Sequence, residues 1–210
     1  MRYHERRLAV LKGSPHPKLS GEAREPDGPS TGGQDMASWV NRMIGAARLD
    51  VATYEEVKAD SKATVQAIAV VLLSAAASGT GSIRAGALYV YTAFGMTLAA
   101  WVAWAFLTWL IGTKFLAEAE TQADVGPLVR TTGFAASPGI LSALGWIPIL
   151  GSVISTLAWL WMLAATVVAV RQALNYKSTG RAVLVSVIPG VVLFTSYFLY
   201  MAISIMRGGL

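Results

Sequence analysis

The chain has 210 residues, 54% apolar and 14% charged, with a net charge of +5 and no cysteine. This composition excludes a disulfide-stapled domain, a thiolate metal site and palmitoylation. The basic balance lacks the aromatic-interleaved patch of a nucleic-acid binder, so it reads as membrane topology.

Residues 1–35 carry Pro15, Pro17, Pro26 and Pro29 among Gly, Ser and mixed charges, with almost no apolar cluster. Such a segment cannot bury enough surface to offset ordering entropy, and a disordered tail is expected. The short run Leu8–Leu11 after Arg2, Arg6 and Arg7 is no signal peptide. Two starts, Met1 and Met36, stay open.

Residues 36–60 form the next block. Trp39, Val40, Met43, Ile44 and Ala47 share one helical face, with Arg42 and Arg48 off it. Two readings stand side by side: an amphipathic helix in the headgroup region, or a stripe packed on the protein's own spans. Asp50 is placed to cap a mostly acidic surface helix up to Asp60. Glu55 and Glu56 point to different faces and read as solvated.

Residues 61–210 are expected to form an all-α, polytopic membrane domain of five transmembrane helices at about 63–83, 85–113, 128–147, 151–170 and 182–206. Ser61 is a candidate cap for the first, whose small residues Ser74–Gly79 suit close helix packing. The second is long and is expected to tilt, with Tyr89 and Tyr91 at one interface and Trp109 at the other. Thr121 and Asp124 match a capping box, and Pro127 is tolerated early in the helix that follows. Residues 131–170 carry no charge. As helix they would extend about 60 Å, twice a hydrocarbon core, so they should cross and return. Pro148 and the flanking Gly145 and Gly151 write the turn, Pro138-Gly139 a kink, and Pro189-Gly190 a bend in the last span. Asn175 ends the fourth span, and Ser178 or Thr179 begins the fifth.

With these spans, all basic residues except Arg84 and Arg207 fall on one side. The expected orientation is N-terminus in, C-terminus out. The only histidines, His4 and His16, lie in the tail, and apart from Arg130 at the mouth of the third, no span carries an Asp, Glu, Lys or Arg. Nothing there resembles a haem or iron–sulfur ligand set, a proton relay, a catalytic triad or a P-loop. Neither a cofactor, a metal nor catalysis is expected.

The polar punctuation is more specific than the apolar runs. The stretch from Asp124 to Gly139, then Trp161-Met162 and Ala169–Leu174, with Arg48–Glu56 upstream and Ser178–Val183 downstream, resembles the Yip family of membrane proteins in its prokaryotic branch. The similarity covers about Trp39 to Tyr200. It implies five spans with a cytoplasmic N-terminus. Eukaryotic members of that family are membrane-traffic factors that bind small prenylated GTPases and shape vesicle membranes; the resemblance assigns no such contact to a residue here.

Two function classes remain. One is a non-catalytic scaffold or accessory subunit in a plasma (inner) membrane, touching the lipid bilayer and other membrane-protein subunits or itself. The other is a passive carrier or channel for an uncharged or lipidic solute, in which broken helices mark the path. The candidate interaction residues are Trp39, Met43, Asp124, Arg130, Gly139, Gly151, Trp159 and Trp161. Trp101, Trp104, Trp159 and Trp161 either stack on a lipid or cofactor ring or fill gaps between helices.

Overall fold

Charge-free runs of this length can satisfy their backbone only as helix, because a bilayer offers no water to bond N–H and C=O groups. The computed structural model describes residues 31–208 and is all-helical, with no strand among them. The expected tail lies outside the described residues except for 31–35. By contacts the chain divides into units Met1–Asp35 and Met36–Leu210, and the packed helices belong to the second.

Helix α1 (Thr31–Ala47) begins ahead of the 36–60 block that carries the apolar stripe. Helix α2 (Val51–Ala59) is capped by Asp50, whose carboxylate accepts from the backbone N–H of Ala52 and Thr53. Among the described residues four helices are long and apolar enough to cross a membrane. They are α3 (Ala63–Gly81), α4 (Ala87–Leu110, prolonged through a π turn to Phe115), α6 (Leu150–Ala173) and the Thr179–Ser196 part of α7 (Thr179–Gly208). Pro189 sits inside α7 without ending it.

The expected third span is not one helix. It consists of α5 (Val125–Ala135) and a 3-10 helix (Ser137–Trp146) joined at Ala136. Pro138 has no N–H to continue the ladder, and Gly139 places backbone where a side chain would collide. Residues 131–139 are all buried. The freed backbone groups find partners nearby: Ala136 N–H donates to Gly133 C=O (3.2 Å), Gly139 N–H to Ala136 C=O (2.9 Å) and the Ser137 hydroxyl to Phe134 C=O (2.6 Å).

Small residues let this broken segment lie against α3. Ala67, Ser74 and Gly81 recur every seven residues along α3 and meet Gly133, Gly139 and Ser142 in turn. A Cβ at Gly133 would stand 2.7 Å from the Ala67 Cβ, and one at Gly139 would collide with the Ser74 hydroxyl. On its other side the 3-10 segment packs on α6, where Gly151 lies against the Gly145 backbone. The turn between them holds Ile149 at φ 64°, a left-handed value that β-branched residues rarely adopt.

Two expected caps are not formed. Lys62 N–H at the start of α3 is bonded by Asp60 (2.9 Å), and Ser61 offers only its carbonyl, to the N–H and hydroxyl of Thr64. There a charged carboxylate outcompetes a hydroxyl, since it bonds an N–H more strongly. Thr121 accepts from Glu118 N–H (2.6 Å) and Asp124 makes no side-chain cap bond, so the capping box is absent. The Thr121 hydroxyl is drawn back into the preceding turn instead of forward into α5. At the far end of α6, Asn175 turns at φ 59° and Ser178 accepts from Arg181 N–H (3.4 Å), ending one helix and opening the next.

The α3 seam is directly testable. Gly139→Leu should destabilise the protein by about 1–3 kcal/mol through overpacking. Gly95→Leu, where an added Cβ meets nothing within 4 Å, should be neutral. Thermal unfolding of both variants in mild detergent would compare them, and equal midpoints would refute the seam.

Candidate functional site

Two regions gather the polar and aromatic side chains. The first is a platform where α1 and α2 dock on the bundle. Arg42 reaches from α1 to Glu56 and Asp60 (2.8 and 2.9 Å) and to Gln66 on α3 (2.8 Å). The last carbonyls of α1, which have no partner within the helix, are taken by side chains: the Tyr54 hydroxyl donates to Ala46 (3.0 Å) and the Trp161 indole to Ala47 (2.7 Å). Arg130 donates to the Val57 and Lys58 carbonyls, placing its charge at the C-terminus of α2 where the helix dipole favours it. Lys58 in turn bonds Asn175 in the α6–α7 loop (2.7 Å).

The connection between α4 and α5 joins the same face. Glu118 accepts from the N–H groups of Lys177 and Ser178 and pairs with Arg181, so it caps α7 from a distant loop. Tyr176, buried, donates to the Gly112 carbonyl of the π turn (2.7 Å). Burial and the nearby Glu118 charge push its phenol up to about 12. Burial likewise raises the Tyr54 phenol. For Asp60, burial opposes ionisation, but the Arg42 hydrogen bond, the Lys62 N–H and both positive charges together hold its carboxyl below the usual range.

The apolar stripe of α1 splits between two environments. Trp39 and Met43 pack against the core around Tyr54, Val57 and Phe134. Met36, Val40 and Ile44, one helical turn apart along the helix, are 56%, 42% and 45% exposed. The packed reading thus holds for Trp39 and Met43, while Met36, Val40 and Ile44 face outward.

The second region is a cavity of about 610 Å³ among α3, α4, α6, α7 and the 3-10 segment. Its lining contains no ionisable side chain; its polar atoms are serine and threonine hydroxyls and the indoles of Trp101, Trp104 and Trp159. Trp104 donates to the Ser186 carbonyl (3.0 Å), whereas the buried Trp101 N–H has no partner among the described residues. Among those residues no group of three or more His, Asp or Glu side chains is placed to hold a metal.

The candidate residues thus fall in different places. Trp39, Met43, Arg130 and Trp161 meet on the platform. Asp124 is exposed and is not joined to Arg130, which bonds α2 instead. Gly139 and Trp159 line the cavity, and Gly151 packs on Gly145 within the hairpin. Sequence reasoning gave Arg42 and Glu118 no role, and named Trp101 only together with Trp104, Trp159 and Trp161. The first two were hidden because their partners lie in other segments, and no local pattern distinguishes the indole of Trp101 from that of Trp104.

A family model, the Yip1 domain, matches residues 51–201. This chain belongs to the Yip family. The match runs from the start of α2 into the last crossing and takes in the seam, the cavity and most of the platform. No curated protein matches the chain, and no solved structure does. This Yip protein is a multi-pass membrane protein, which accords with its four long apolar helices.

The Asp60 contact gives the platform a pH dependence with a definite sign. Its folded pKa lies below the ordinary value of about 3.9. The carboxylate's contribution is therefore full above that value and is lost as the pH falls through the lower, folded one. Protease cleavage between α1 and α2 should stay slow down to about pH 4 and rise below it. In Asp60→Asn it should be raised already at neutral pH. A wild-type cleavage rate that does not change between pH 6 and 3 would contradict this.

Proposed function

We propose that this Yip protein is a non-catalytic scaffold or accessory subunit of a membrane assembly, crossing a plasma (inner) membrane five times with its N-terminus inside and its C-terminus outside. The crossing added to the four long helices, third in chain order, is the α5 and 3-10 pair. Its 11 and 10 residues extend about 16 and 20 Å, enough in sum for a hydrocarbon core. Every basic residue on the platform side, Arg42 and Arg130 among them, suits the cytoplasmic leaflet.

The observation that carries the reading is the exposed ridge Met36, Val40 and Ile44. It is held on a helix that Trp39, Arg42, Tyr54 and Trp161 fix to the bundle. An apolar ridge on a rigid, charge-flanked helix suits a membrane surface or the apolar face of another subunit. The uncharged cavity favours the second reading, a passive carrier for an uncharged or lipidic solute. Solute flux through liposomes containing the purified protein would support that alternative.

Replacing Val40 and Ile44 with Asp should abolish copurification of partner subunits in mild detergent while leaving thermal unfolding unchanged. Replacing Trp39 and Met43 with Asp should instead lower stability, because those side chains are packed inward. Unaltered copurification in the Val40 and Ile44 variant would remove the basis for a scaffold role.

The orientation is open to single-cysteine labelling, since the chain has no cysteine. An impermeant thiol reagent should reach Ser82→Cys and Ser152→Cys in intact cells, and Thr121→Cys and Ser178→Cys only after permeabilisation. Labelling of Ser178→Cys in intact cells would refute the orientation.

A further inference from the structure

The cavity has the size of a small-molecule site, and its chemistry narrows what can enter. With no ionisable side chain in its lining, a charged group would lose its hydration without gaining a partner. Many of the hydroxyls are already engaged as donors within their own helices: Ser78 to Ser74, Thr97 to Ala93, Thr132 to Leu128 and Ser186 to Ala182. With those donors turned back onto their own helices, the complementary ligand is uncharged and largely apolar.

The wall also has an opening. Gly190 lines the cavity and is exposed, and a Cβ added there meets nothing within 4 Å. Trp159 and Val191, also lining it, are both 57% exposed. Gly190 and Trp159 lie well inside candidate spans, in Thr179–Ser196 and Leu150–Ala173. The opening therefore faces hydrocarbon rather than either aqueous side.

We propose that the cavity holds one acyl chain of a membrane lipid, admitted sideways past Gly190. This requires only that the bundle sit in a bilayer and does not depend on the scaffold role or on a partner subunit.

The test uses the full chain in phosphatidylcholine vesicles containing a trace of photoactivatable lipid with a diazirine in mid-chain. One arm carries the probe on phosphatidylcholine and the other on diacylglycerol, both with the ester linkage. Mass spectrometry after irradiation should find label on the cavity residues Ser74 and Trp101, and the arm that labels identifies the lipid source. Gly190→Leu puts a side chain into the opening, and leucine is a better helix former than glycine. It should reduce cavity label to background while the outward-facing Tyr91 and Val102 remain labelled and thermal unfolding is unchanged. Cavity label at background in both arms, or unchanged by Gly190→Leu, would overturn the proposal.

Discussion

A bilayer leaves a broken helix nowhere to hide its backbone except inside protein, and the break at Ala136 governs the arrangement around it. Continuous α3 and α6 could each face lipid, but the α5 and 3-10 pair could not. Its stretch from 131 to 139 is accordingly buried, with α3 on one side and α6 on the other, while Leu141, Leu144 and Trp146 beyond it stay exposed. The hydroxyls of Thr131, Thr132 and Ser137 bond back onto carbonyls of their own segment. The glycines Gly133 and Gly139 let it approach α3 closely enough to exclude lipid. The seven-residue recurrence of Ala67, Ser74 and Gly81 is the counterpart of that break. Without small residues there, the two backbones could not meet.

Enclosing the broken segment leaves the rest of the bundle less tightly filled. A 3-10 helix is narrower and rises faster than an α-helix. Beside it, α4 and α7 stand off, and the space between them and α6 is the cavity. The aqueous end is closed instead by long-range polar contacts. Arg42, Arg130, Lys58 and Glu118 each tie segments far apart in sequence, and α1 is held by its last carbonyls. The result is a firm platform carrying an apolar ridge above a bundle with a soft, uncharged interior.

Much of this was legible in the chain itself. Length and absence of charge marked the long helices, Pro148 with its glycines marked the return at the tip, and Asp50 and Asn175 marked helix ends through their own local bonding. The Asp124 to Gly139 stretch carried the family resemblance, and the family match includes it. What was not legible depended on partners distant in sequence or on competition between near neighbours. Ser61 and the Thr121–Asp124 pair have the residues of caps, but Asp60 and Glu118 engage the local N–H and hydroxyl groups. Trp39 and Val40 are neighbours on one apolar stripe, and only the packing of α2 and α6 separates the buried one from the exposed one. Pro138 announced a kink, whereas the 3-10 form of the residues after it follows from contact with α3 and α6.

The central claim is that residues 131–139, around the break in the third element, are an enclosed, load-sharing part of the bundle rather than a peripheral loop. Amide hydrogen exchange of the reconstituted protein reads this directly, since protection reports local opening. Residues 131–139 should exchange as slowly as the middle of α3. Exchange of that segment at the rate of the exposed 116–124 connection would contradict the account.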